Sequence, residues 1–170
     1  MKRGLLYGVG GLVIVVAVAV GIWTTTCPCA QTPGFMLLGE TVTGPVADWR
    51  FVNDVPLCQL QVPVYGLPHA INLNCMATPD GRIFLSCSVC DTKLWARHVT
   101  PGTAGRLRLN GRVYPVTLTR VTDEATLDQA WRARVAKLQV YGTETGVNAR
   151  PRPDAPRPNR WWSFELKSAV

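Results

Sequence analysis

Apolar residues run almost unbroken from Gly4 to Trp23, and no charge falls between Arg3 and Glu40. A hydrocarbon core about 30 Å thick needs roughly 20 apolar residues at about 1.5 Å each. The run meets that length and predicts one transmembrane helix. Leu5, Leu12 and Val16 anchor it in the bilayer, and Tyr7 and Trp23 sit near its ends, where amphipathic rings favour the membrane interface. Lys2 and Arg3 precede the run, so the N-terminus is expected in the cytoplasm and everything after Trp23 outside it. The rival is a cleaved signal peptide, whose apolar region spans only about 7–15 residues. Ala19-Val20-Gly21 is a weak cleavage site. A retained, single-pass anchor in the inner membrane is the expectation, with the following domain in the periplasm or outside.

Beyond the anchor the period changes. Residues 1–26 form the anchor, 27–44 a Cys/Pro/Gly-rich tether, and 45–170 the folded domain. Leu57 to Val62 alternates polar and apolar residues, the period of a strand. Pro63, Gly66 and Pro68 predict a loop, and Ala70 to Ala77 alternates again. Thr78-Pro79-Asp80-Gly81 reads as a turn into a third strand, Arg82 to Ser88. Asp91 or Thr92 can cap a short helix that runs through Val99 and stops at Pro101-Gly102. Gly105 to Leu109 and Arg112 to Val121 flank Asn110-Gly111, the dipeptide that tolerates the positive φ angles of a type I′ hairpin turn. Pro115 cannot donate to a ladder, which predicts an edge or a bulge there. Thr122-Asp123-Glu124 opens a second helix with the apolar stripe Leu127, Trp131, Val135 and Leu138. Ala149 to Arg160 alternates Pro and Arg and reads as an extended loop, and Trp161 to Leu166 as a last strand. Trp161 and Trp162 are strand neighbours, so one is expected inward and one outward.

Charge and cysteine content sharpen this picture. The net charge is +7, and from Thr103 onward there are twelve Lys or Arg against six acids. Such a surface reads first as a solvated basic face, and otherwise suits anionic headgroups or an acidic partner. No nucleic-acid motif accompanies it, and none is expected outside the cytoplasm. Six cysteines in an oxidising compartment read first as disulfides. Cys58 and Cys75 are one candidate pair, because a hairpin centred on Gly66-Leu67 sets them opposite each other, with two buried free thiols as the alternative. Cys27 and Cys29 in the tether and Cys87 and Cys90 in the domain form two further groups, suited to stapling tether to domain. Cys87-Ser88-Val89-Cys90 can also be a redox pair, or join Cys27 and Cys29 in a four-thiolate metal site. His69 and His98 are isolated along the chain, and no carboxylate pair stands in a catalytic frame, so no catalytic residue is assigned.

The segments Asp48-Trp49-Arg50-Phe51, Pro68-His69-Ala70-Ile71-Asn72, Asp80-Gly81-Arg82-Ile83-Phe84, Lys93 to Val99 and Arg106 to Tyr114, in this order, resemble the split β-barrel superfamily. That superfamily includes pyridoxamine-phosphate-oxidase-like flavoproteins and deazaflavin-dependent nitroreductases. The resemblance covers about Pro45 to Val170 and is closest to a membrane-anchored branch. It implies a mainly β fold: a six-stranded Greek-key barrel with two short helices, often dimeric. In flavin-binding members the cofactor phosphate meets a hydroxyl residue after the third strand and a basic residue entering the next helix. The matching positions are Ser86, Ser88, Thr92 and Lys93, with Arg97 one helical turn later. Cys87 and Cys90 depart from the pattern at this loop.

The leading expectation is an extracytoplasmic accessory or scaffolding subunit of a larger membrane complex, with the bilayer and other subunits as partners, homodimerisation as an alternative, and no bound cofactor. The first alternative is a flavin- or deazaflavin-dependent oxidoreductase that holds FMN or a deazaflavin. The second is a thiol–disulfide or metal-binding module built on Cys87 and Cys90.

Overall fold

A computed structural model describes residues 2–26, 32–146 and 148–170. Helix α1 covers Lys2–Thr26. The strands are β1 (Glu40–Thr41), β2 (Cys58–Val64), β3 (Leu67–Ala77), β4 (Ile83–Ser88), β5 (Thr103–Leu109), β6 (Arg112–Arg120) and β7 (Trp161–Ser168). Helix α2 is Leu94–His98 and α3 is Glu124–Tyr141, with short 3-10 turns at Arg50–Asp54 and Cys90–Thr92.

Strands β2 to β7 form one sheet in the order β6-β5-β2-β3-β4-β7, and β7 pairs back onto β6. The result is a closed, antiparallel, six-stranded barrel, and closure removes the exposed sheet edges. The two-residue β1 adds in parallel to the start of β6, at Arg112 and Val113, while β7 takes over from Val116. Pro115 lies between the two partners, and its carbonyl accepts from Ala169 N. The N and C=O of one strand residue point the same way, so the missing N–H of Pro115 falls where β6 changes partner. The expected edge at this proline is thereby located.

Alternation builds the core. Leu60, Val62, Cys75, Ile83, Leu85, Leu107, Val116 and Phe164 point inward and are buried. The opposite face of β3 and β4 is covered by α3, where Met76 and Phe84 pack on Ala130. Both faces of β4 are therefore covered, and its residues from Ile83 to Cys87 are all buried. Asp123 caps α3 by accepting from Thr126 N at 3.3 Å. The loop at 149–160 lies against α3: Trp131 Nε1 donates to Ala155 O at 2.7 Å, and Arg157 pairs with Asp128 at 3.1 Å and with Glu124.

Several expectations are corrected. The β2–β3 turn is Tyr65-Gly66, so Cys58 stands opposite Leu73 and not Cys75. Cys58 and Cys75 are nonetheless bonded, as diagonal neighbours with Cα atoms 5.8 Å apart. Pro63 and Pro68 lie within the strands, facing each other at the hairpin end. The β2–β5 ladder stops at Gln61↔Arg106, so neither proline interrupts it. Cys87 and Cys90 are bonded to each other and so do not staple the tether. Cys27 and Cys29 lie outside the described residues. The helix expected from Asp91 through Val99 is split into the 3-10 turn and the five-residue α2. Among the described residues no helix is long and apolar enough to cross a membrane. In α1 the described side chains are those of residues 7–23, a portion of its 25 residues.

Candidate functional site

Strands β3 and β4 pair only from Asn74↔Ser86 to Ala77↔Ile83. Before Asn74 and after Ser86 they part, and the barrel is open along that line. Leu73 and Cys87 continue the inner faces there, while Asn72, Asn74, Ser86 and Ser88 face the outer side. Helix α3 lies over this outer side and contributes Arg134. A cleft of about 260 Å³ results, lined by Asn72, Asn74, Ser86, Ser88, Lys93, Arg134, Asn148 and Trp161. A neighbouring space of about 370 Å³ shares Ser88, Arg134 and Trp161 and extends it beneath Gly146, Ala149 and Pro151.

Arg134 dominates the electrostatics. It is 3% exposed. Its Nη1 donates to Ser86 Oγ at 3.2 Å. The guanidinium lies 4.3 Å from the centre of the Trp161 ring, which packs edge-on to Trp131 at 5.5 Å. This cation–π stack orients the arginine toward the cleft. Burial lowers its pKa to about 10, which leaves it charged at neutral pH. Asn74 donates to Asn148 Oδ1 at 2.6 Å, tying β3 to the segment after α3. Asn72 Oδ1 and Trp161 Nε1 are buried with no hydrogen-bond partner among the described residues. Buried polar atoms left this way are costly and point to a polar ligand or water.

Of the residues singled out in the sequence, Ser86, Ser88 and Lys93 meet in this cleft. Thr92 and Arg97 are exposed and do not line it. Thr92 Oγ1 instead donates to Val89 O at 2.9 Å. The N–H of Lys93 is used by Cys90 O, and α2 has only five residues, so a helix dipole adds little here. Arg134 was missed because its helix read as one apolar stripe with a polar remainder. Its one signal was the three-residue spacing to Lys137 beside that stripe. His69 and His98, distant in sequence, approach in space: burial first, and then the charge of His98, lower the pKa of His69. Trp161 turns to α3, whereas Trp162 packs on the barrel core and lies under Arg120 at 3.5 Å.

A larger cavity of about 720 Å³ lies between α3 and the Arg50–Asp54 turn, walled by Ala77, Pro79, Ala133, Ala136 and Val140. Two of its polar groups, Lys137 and Asn53, are already engaged. Lys137 Nζ donates to Val52 O at 2.7 Å and to Cys75 O, and Asn53 is locked to the backbone of Ala77. Among the described residues no group of three or more His, Cys, Asp or Glu could hold a metal.

The donor set of the smaller cleft fits a phosphate: a buried guanidinium, an ammonium and two hydroxyls. A closed six-stranded antiparallel barrel, opened beside its cleft, is a split β-barrel, and the expected superfamily resemblance holds for the fold. No family model matches the chain, and no curated protein matches it. Among solved structures it is similar to the FAD binding protein from Mycobacterium smegmatis, at 12% identity over 72% of this chain and 88% of that one, TM-score 0.42. It is also similar to a general stress protein 26 from Jannaschia sp. CCS1, at 19% identity over 71% of each chain, TM-score 0.46. A third is a pyridoxamine 5'-phosphate oxidase-related, FMN binding protein from Nostoc punctiforme PCC 73102, at 15% identity over 66% of this chain and 71% of that one, TM-score 0.38.

Proposed function

We propose that this chain is a single-pass, membrane-anchored split-barrel protein whose cleft binds the phosphate end of a flavin-class cofactor, FMN or a deazaflavin. The observation that carries the reading is Arg134, a buried guanidinium bonded to Ser86 where Ser88 and Lys93 also converge. Charge-assisted hydrogen bonds contribute about 1.5–3 kcal/mol each, more than neutral ones. Ser86 and Arg134 would hold the phosphate inside the cleft, with Ser88 beside them and Lys93 at the exposed rim. The space beneath Gly146 and Pro151 would take the rest of the molecule. A bound flavin supplies hydride and single-electron transfer.

The anchor is supported by α1 as a whole. The uncharged, apolar sequence run from Gly4 to Trp23 falls within it. Its described large side chains, Tyr7 through Trp23, are exposed. The disulfides Cys58–Cys75 and Cys87–Cys90 suit a domain outside the cytoplasm.

The test is the visible spectrum of the full chain, purified from membranes in mild detergent and followed through gel filtration. Flavin absorbance that co-elutes, and an FMN affinity that Lys93→Ala weakens about tenfold, are the expected results. Lys93 is exposed, so its loss leaves the fold intact. A colourless, folded chain that also fails to bind added FMN overturns cofactor binding. The accessory role in a larger membrane complex is then the function, with co-purifying subunits as its readout.

A further inference from the structure

The β2–β3 hairpin ends in an anomaly. Its two turn residues, Tyr65 and Gly66, both have positive φ, at 51° and 79°. The β5–β6 hairpin uses Asn110 and Gly111 at 50° and 76°, the residue types this turn favours. An aromatic residue is disfavoured in the left-handed region, so Tyr65 does not serve the turn. Tyr65 is 78% exposed, and Leu67 on the next strand is 62% exposed.

The tip also has a defined place relative to α1. Trp23, at the last described side chain of that helix, packs on Phe35 at 5.7 Å between ring centres. Gly34 then exchanges two backbone hydrogen bonds with Ala70 of β3, at 2.7 and 3.0 Å. Ala70 is three residues from Leu67, about 10 Å along a strand. The chain next belts the barrel: Leu37 N donates to Gln61 Oε1 and Leu38 O accepts from Arg108. Met36 and Leu38 in this belt are exposed apolar residues too.

The charge around the tip has one sign. His98 packs edge-on to Tyr65 at 4.5 Å, with Arg97 beside it in sequence. Arg106 shares a shallow groove with Gly66 and Leu67. The chain carries no Asp or Glu from Val55 to Pro79 or from Thr92 to Thr122. An aromatic and aliphatic tip fringed by cations matches the interface of a bilayer with anionic headgroups.

We propose that the Tyr65-Gly66-Leu67 tip is the membrane-facing surface of the barrel, seated among the anionic headgroups of the same bilayer that holds α1. This rests on the anchor reading. It orients the barrel, turning the tip to the lipid.

The full chain is made with fluorotyrosine and placed in nanodiscs containing an anionic phospholipid and a small share of nitroxide-labelled lipid. Its four tyrosines report by fluorine resonance. Tyr7 reads the anchor, Tyr65 reads the tip, and Tyr141, on α3, is the reference; Tyr65→Phe assigns the signal. The expected result is broadening of Tyr7 and Tyr65 several-fold beyond Tyr141, with Leu67→Asp returning Tyr65 toward the reference. Broadening of Tyr7 alone overturns the docking and leaves the anchor standing. Broadening of neither overturns the anchor reading and the docking with it. Equal Tyr65 broadening in purely zwitterionic discs overturns the role of the basic fringe.

Discussion

Arg134 and Lys137 sit one helical turn apart on α3, and both are buried, yet they do different work. Arg134 faces the cleft between the parted strands. Lys137 bolts the helix to Val52 O and Cys75 O. Burial pushes the Lys137 pKa down to about 8 from an ordinary value of 10.5. The folded chain therefore gives up this proton more readily than the unfolded one. Below about pH 8 both states hold it; between 8 and 10.5 the unfolded state holds more, so stability rises with pH across that window. Urea titrations should show wild type gaining on Lys137→Met there, by up to about 1.4 kcal/mol per pH unit. The two should run parallel below pH 7, and parallel curves throughout would count against the assignment. At Arg134, replacement by Met should abolish FMN retention. Replacement by Lys should keep part of it, because the charge survives but the fork to Ser86 does not.

At the scale of elements, alternation located β2 and β3, and turn signals and flanking loops the other four barrel strands, each to within a few residues. Asn110-Gly111 identified its turn outright. Asn110→Ala should cost about 1 kcal/mol, since alanine lacks asparagine's tolerance of positive φ; thermal unfolding reads this. The β2–β3 turn falls at Tyr65-Gly66 and not at Gly66-Leu67, because Pro63 and Pro68, loop formers by sequence, lie within the strands. They are tolerated in strands because the hairpin end reaches past the neighbouring ladders, a fact set by strands far away in sequence. The Cys58–Cys75 bond closes a loop across that hairpin, with a separation of 17 residues. Replacing both cysteines by serine should cost about 3 kcal/mol in urea unfolding.

The whole molecule is governed by closure of the barrel and by what covers its outer face. Gly105 shows the constraint. A Cβ there would come within 2.7 Å of Leu118 Cδ1 and 3.0 Å of Gln61 O, where β2, β5 and β6 converge. Gly105→Ala should therefore destabilise the barrel by about 1–3 kcal/mol, while the same change at exposed Gly44, which has open space, should be near neutral.

Local order was legible in the sequence because strand period, turn chemistry and helix caps act over a few neighbouring residues. Those signals specified the six barrel strands, the β5–β6 hairpin and the α3 stripe, while the grouping of Ser86, Ser88 and Lys93 near one loop was what the superfamily resemblance implied. Only the tertiary structure decided that Arg134 completes this site, that Thr92 and Arg97 stand outside it, and that Cys87 pairs with Cys90. It also decided that the segment after α1 bonds to β3 at Ala70, three residues from Leu67 at the Tyr65 tip. Each of these depends on where β3 and β4 part and on which helix covers the gap. Both are set by pairings between distant segments, which a periodic pattern along one segment does not encode.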